Sequence, residues 1–176
     1  GTFPLPSSKY DLSTYLGRVK HCAEVSDPRM LLTSDAQLAE AKSLVSLYRT
    51  GKLTTPTPEF WKAKKQLDST LHPDTGDKVF LPFRMSCCVI SNLFVCVGMM
   101  TPGLGTAGTV FWQWANQSLN VAINSANANK SHAMSTQQLI INYSAAVTAS
   151  CGVAVGFNKI LPKLKNISVN TRVVLG

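Results

Sequence analysis

The sequence predicts an all-α fold: a multi-span helical membrane protein with a small N-terminal amphipathic helical domain. Three observations carry this. No Asp, Glu, Lys, Arg or His occurs between Arg84 and Lys130, and a second uncharged run extends from Ala133 to Asn158. All nine acids lie at or before Asp77. Ahead of that point, apolar residues recur at helical spacing. This division puts an N-terminal helical domain, membrane-surface or soluble, at residues 1–77 and a membrane domain of two or three spans at 78–176.

Composition narrows the function. The charged fraction is 15%, where ordinary soluble domains have about a quarter. The formal charge is +8. Bases flanking uncharged runs suit a membrane face and not a nucleic-acid surface. The five cysteines include no CxxC pair, and Cys87, Cys88 and Cys96 share one apolar run. They read as small packing residues, not as a metal site or a disulfide framework. The first residue is Gly, and no secretory signal pattern follows it. Val173–Gly176 stops after an apolar start, so a longer protein is expected.

Gly1–Lys9, rich in Pro and Ser, reads as extended. Tyr10–Cys22 reads as a short helix with Tyr15, Leu16, Val19 and Cys22 along one face. Asp27-Pro28-Arg29 reads as a turn. Ser34 and Gln37 have capping-box spacing. They open a helix with Leu38, Ala41, Leu44, Val45 and Tyr48 on one side and Gly51 at its end. After the stiff connector Thr54–Pro58, Thr57 can cap a further helix and Pro58 suits its first turn. That helix repeats Phe60, Ala63, Leu67 and Leu71, with Lys62, Lys64 and Lys65 at solvated or headgroup-facing positions. His72-Pro73-Asp74-Thr75-Gly76-Asp77 is expected to be a structural or gating junction. Pro73 ends the helix, Asp74 bonds back to nearby amides, and Gly76 takes a special backbone angle.

Lys78–Thr101 is the first span candidate: within it Val79–Met100 is 22 residues long, where about 20 cross the hydrocarbon. Arg84 lies near its start, its side chain reaching for headgroups, and Pro82 bends or begins the helix. Thr101-Pro102-Gly103-Leu104-Gly105 breaks it, with Pro102, Gly103 and Gly105 available for hinge motion. Trp112 and Trp114 open the next element at the membrane interface. Asn127–Ser135 is a polar loop with Lys130 and His132. Ser135 and Gln138 can cap a third element, uncharged from Leu139 to Phe157. Its Ala145, Ala146, Ala149, Gly152 and Gly156 allow close helix approach. Pro162, Lys163 and Lys165 mark its exit.

The most unusual stretch is Phe111–Asn129. Gln113, Asn116, Gln117, Asn120, Asn124 and Asn127 fall on one helical stripe roughly 100° wide. Trp114, Ala115, Leu119, Val121, Ala122, Ile123 and Ala126 occupy the opposite surface. Water-facing helices usually carry Lys and Glu, and Asn is a mediocre helix former. Amides without charge suit a membrane bundle, where they bond across helices or to a polar solute. Two readings stand: a polar seam that holds helices together, or a solute path.

No Walker loop, GxGxxG, GxSxG or HExxH appears. His21, His72 and His132 lie in different elements. No catalytic residue, metal site or cofactor is therefore expected. The membrane-depth segments hold no carboxylate for proton coupling, and no carboxylate–histidine set for iron.

Several stretches together resemble the sideroflexins, the mitochondrial inner-membrane carrier family. They are Leu16-Gly17-Arg18-Val19-Lys20-His21, Asp27-Pro28-Arg29, His72-Pro73-Asp74-Thr75-Gly76, Arg84-Met85-Ser86, and Phe111-Trp112-Gln113-Trp114 with Asn116-Gln117-Ser118. Asn120, Asn124 and Asn127 continue the last motif. The resemblance implies a five-span, multi-pass inner-membrane protein of which this chain is about the first half. It implies transport of serine and related small neutral amino acids for one-carbon metabolism, completed by C-terminal spans. It also implies links to iron homeostasis, or to assembly within a membrane-protein complex. The lipid bilayer is the implied surrounding partner, and no nucleic acid is. The sequence departs from the family where Ser125 and Ala128 replace a Tyr and an Arg, and where Asp77 replaces a Glu.

Overall fold

The structure, a computed structural model, describes residues 3–128, 134–160 and 163. Among these the chain is helical, and a single antiparallel bridge joins Leu71 to Lys78. The helices are α1 (Tyr15–Val25), α2 (Asp35–Arg49), α3 (Pro58–Thr70), α4 (Cys88–Met99), α5 (Thr106–Asn127) and α6 (Thr136–Ile160). Short 3-10 turns occupy Pro28–Leu32, Leu81–Phe83 and Met85–Cys87. The expectations for Lys130, His132, Pro162, Lys165 and Val173–Gly176 lie outside the described residues. Two compact units form: Gly1–Val89 with Ala126–Asn129, and Ile90–Ser125 with α6.

The first unit is built on the α2–α3 hairpin. Ser34 and Gln37 form the expected capping box, each side chain bonded to the other's backbone N–H. At the far end of α2, Lys52 N–H reaches Leu47 O and Gly51 N–H reaches Tyr48 O, both at 3.0 Å. Gly51 has φ +76°, which a residue without Cβ adopts freely, and the pair of bonds is a Schellman ending. Thr57 caps α3 through Phe60 N–H, with Pro58 in its first turn. Ala41, Val45, Phe60 and Ala63 then form a buried cluster, flanked by Leu44, Tyr48, Trp61 and Leu67. The Tyr48 and Phe60 rings lie 4.7 Å apart, and Phe3 packs beyond Tyr48 at 6.5 Å.

The expected helix at Tyr10–Cys22 begins later, at Tyr15. Asp11 O accepts bonds from Thr14 N–H and Thr14 Oγ1, which spends the preceding residues in a turn. Two of the three lysines expected to be solvated on α3 are not. Lys65 pairs with Asp27 at 2.6 Å and Lys64 with Asp68 at 2.5 Å, while Lys62 stays exposed. Asp27 is buried, accepts Arg29 N–H, and takes the Arg29 guanidinium as well. One carboxylate thereby holds the turn after α1 against α3.

The 22-residue span expected over Val79–Met100 is not one helix. Pro82 lies in one 3-10 turn and a second follows at Met85–Cys87. Arg84 is half-buried, and its Nε donates to Val79 O at 2.8 Å. Ser86 Oγ donates to Ser69 O at 3.0 Å, deep in the first unit. The unit therefore claims these residues, and α4 keeps 12. At 1.5 Å per residue that is about 18 Å, short of the ~30 Å hydrocarbon layer.

In the second unit, α5 has 22 residues and α6 has 25. Among the described residues, α6 is the one helix long and apolar enough to cross a membrane, with mean hydropathy 1.5. None of its residues is buried. The multi-span expectation thus reduces here to an all-helical chain with one such helix. The amide stripe lowers the hydropathy of α5.

Two outcomes test this packing. Phe60→Ala should cost about 3–5 kcal/mol, the range for a large aromatic removed from a core, read as a lowered midpoint in denaturant unfolding. Hydrogen bonds from Arg29 and then Lys65 hold the Asp27 carboxyl far below the usual carboxylate range. Its contribution to stability is complete above the unfolded value of about 3.9 and is lost as pH falls below it towards the folded value. Asp27→Asn should therefore melt earlier than the parent at pH 7, and that difference should shrink at pH 3.

Candidate functional site

Close packing on α4 positions the start of α5. Trp112 lies edge-on to Phe94, with centroids 5.8 Å apart. Its ring covers Gly98, where an added Cβ would meet ring carbons at 2.3 Å. Trp112 is thus packed inward, while Trp114 and Phe111 stay exposed. The break before α5 contains Gly103 at φ +77°, followed by Gly105, with Pro102 exposed beside them.

Polar bonds join α5 to α6. Asn158 Nδ2 donates to the buried Thr109 Oγ1 at 2.9 Å. Ser118 Oγ and Tyr143 Oη lie 2.7 Å apart, and Ser118 also donates to Trp114 O. Ser118 belongs to the Asn116-Gln117-Ser118 motif, but no contact with α6 was expected of any of these four residues. Thr109 had a signal: it precedes Gln113 by four residues and continues the amide stripe. Asn158 had one too, as an amide closing an apolar run.

On the stripe, Gln113, Asn116, Gln117 and Asn120 are half-buried, and Asn124 is exposed. Asn120 Nδ2 makes a long contact of 3.5 Å with Asn116 Oδ1. Asn127 departs from the others: at the end of α5, in the first unit, its Nδ2 donates to Phe83 O at 2.7 Å. The stripe therefore divides. Gln113 to Asn120 form one short band of uncharged donors and acceptors, and Asn127 anchors the helix end.

The His72–Asp77 junction is a closed loop in the first unit. Leu71 and Lys78 bridge its ends, and His72 N–H donates to Asp77 O at 2.8 Å. Gly76 takes φ +69° and returns its N–H to His72 O. The amides of Asp74 and Thr75 point at His72 Nδ1, at 3.1 and 3.4 Å. Thr75 Oγ1 accepts Asp77 N–H. Pro73, at the loop's exposed tip, follows the last turn of α3. The imidazole organises the loop, a role its sequence position does not announce. Lys42 reaches Gly76 O at 3.3 Å and Lys78 pairs with Asp35. An open groove of about 390 Å³ lies there, lined by Leu38, Lys42, Leu71 and Lys78 among others.

These features define a helical protein with a compact N-terminal unit and an unburied apolar helix of membrane-spanning length. The chain belongs to the sideroflexin family: the family description "Sideroflexins" matches residues 4–176. It is similar to Sideroflexin FSF1 of Saccharomyces cerevisiae, 69% identical over 176 residues, covering 100% of this chain and 54% of that protein. Human Sideroflexin-3 is 40% identical over 158 residues, covering 89% of this chain and 49% of that protein. Human Sideroflexin-5 is 34% identical over 175 residues, covering 98% of this chain and 52% of that protein. The chain spans about half the length of these relatives. No solved structure matches it.

The contact at Gly98 can be tested directly. Gly98→Ala must displace the Trp112 indole, and overpacking of this kind costs about 1–3 kcal/mol. The variant should show altered Trp emission and a lower melting temperature. An unchanged spectrum and melt would mean that Trp112 does not cover Gly98.

Proposed function

We propose that the full-length protein is a multi-span transporter of the mitochondrial inner membrane that carries serine and similar small neutral amino acids for one-carbon metabolism. The observation that supports this reading is the half-buried band of uncharged amides on α5, Gln113, Asn116, Gln117 and Asn120, within a run that has no charged side chain. A zwitterion has no net charge but needs acceptors for its ammonium and donors for its carboxylate. Amides supply both, without the cost of placing an ion at membrane depth. The helical break at Pro102, Gly103 and Gly105 provides backbone freedom beside that band. No cofactor, metal or catalytic group enters the scheme. Further C-terminal spans in the full-length protein would complete the path.

A second reading has its own observations. Thr109–Asn158, Ser118–Tyr143 and Asn127–Phe83 are polar contacts satisfied inside the protein. Such contacts hold helices together and need no solute. On this reading the protein is a non-transporting assembly or structural factor, linked to respiratory complexes or iron homeostasis.

Serine uptake into proteoliposomes of the full-length protein separates the two. Asn120→Leu should reduce saturable uptake by at least tenfold, equivalent to about 1.4 kcal/mol, while leaving the melting temperature within a few degrees. Normal uptake by a stably folded variant would remove Asn120 from the path. Absence of uptake in the parent, across several neutral amino acids, would favour the assembly role.

A further inference from the structure

Helix α1 is built the opposite way round from α2 and α3. Its inward side is Gly17, the one buried residue of the helix, pressed so close that a Cβ would lie 1.8 Å from Asp11 O. Glu24 also faces the unit, bonded to Lys9 and Tyr10 at 3.0 Å. Val25 is half-buried beside Glu24, but the other large apolar side chains point outward: Tyr15 is 76% exposed, Leu16 60% and Val19 44%. Cys22 and Ala23 are exposed with them. On a helical projection these five fall within an arc of about 120°, with Arg18 and Lys20 about 40° beyond its two edges. Both bases are exposed; Arg18 Nη1 donates to Leu12 O and Ser13 O, which fixes it at one edge of the arc, and Lys20 Nζ lies 6.0 Å from the Tyr10 ring centre.

An apolar arc bordered on each side by a base, above a backbone-tight polar face, is the pattern of a helix lying in a lipid interface. A soluble helix gains nothing by exposing Tyr, Leu and Val while burying Gly. We propose that α1 is an interfacial helix that seats Tyr15, Leu16 and Val19 at the headgroup boundary of an anionic bilayer, with Arg18 and Lys20 over the lipid phosphates. The charge pattern selects a lipid surface over an apolar protein groove, because bases at both edges match phosphates that surround the arc. The inference rests on the membrane reading above but not on transport.

The test uses the full-length protein in nanodiscs of phosphatidylcholine with phosphatidylglycerol, and in discs of phosphatidylcholine alone. Nitroxides are attached at Leu16→Cys and Val19→Cys, in a background whose native cysteines are Ser. Control labels sit at Glu40→Cys, exposed on α2, and at Val153→Cys, exposed on α6. Labels 16 and 19 should favour oxygen over a water-soluble nickel chelate, as label 153 does and label 40 does not. Lys20→Gln should shift them toward water by roughly fivefold in the anionic discs. Labels 16 and 19 that match label 40, while label 153 remains in lipid, would overturn the inference and leave the membrane reading intact. A water-exposed label 153 would overturn both. Protection of 16 and 19 from both reagents would mean that protein covers the face, and would also overturn it. The unsubstituted protein gives a second readout. A charged maleimide, followed peptide by peptide, should modify Cys22 more slowly in anionic discs than in phosphatidylcholine discs. Equal rates would count against the proposal.

Discussion

The buried hydrogen bond from Ser86 Oγ to Ser69 O decides where the first unit releases the chain. At that depth the bond avoids the cost of about 1–3 kcal/mol that an unpaired hydroxyl or carbonyl carries, a cost met by the neighbouring buried hydroxyls of Ser69 and Thr70. The bond ties the 3-10 turn before α4 to the last turn of α3. Between its ends lie the His72 loop, closed on the imidazole, and Val79 N–H returned to Thr70 O at 3.1 Å. Arg84 completes the closure on Val79 O. With these groups committed, residues 79–87 belong to the first unit, and α4 begins only at Cys88.

The same economy of polar groups governs the second unit. Its helices carry almost no charge, so each amide or hydroxyl must find a partner in the protein, the solvent or a solute. Thr109 and Ser118 find theirs on α6. Gln113, Asn116, Gln117 and Asn120 remain half-buried on α5, with Asn120 Nδ2 in long contact with Asn116 Oδ1. A band of that kind offers donors and acceptors at one place without ionic desolvation. On the transport function proposed above, these are the groups that would meet the two ends of a neutral zwitterion.

Helices of opposite polarity coexist in the first unit. Those of the α2–α3 hairpin bury their apolar faces around Phe60, which is 0% exposed. Helix α1 buries a glycine, leaves Glu24 and Val25 half-buried, and turns Leu16 and Val19 out. Periodicity alone treats all three alike, because an apolar arc looks the same whether it meets a core or a lipid interface. What separates them is the close approach of Gly17 to Asp11, which leaves no room for a side chain between α1 and its own entering turn.

Much was legible from residue order alone, wherever the cause was local. The capping box at Ser34 and Gln37, the Gly51 ending, the Thr57 cap, the positive φ of Gly76 and the hairpin core follow from short-range chemistry. The family also follows from its motifs. The candidate site was half legible. The amide stripe is a matter of spacing, but the bonds of Thr109 and Ser118 to α6 and the separate anchoring of Asn127 are not. The tertiary structure alone decided the length of α4, the pairing of Lys65 and the outward face of α1. Each depends on a group distant in sequence, or on a close approach no local pattern encodes: Ser69 for Ser86, Asp27 for Lys65, Phe83 for Asn127. A hydrophobic run reports that a segment avoids water. Which buried carbonyl claims its hydroxyl, and so where a helix can start, is fixed only when the chain has folded back on itself.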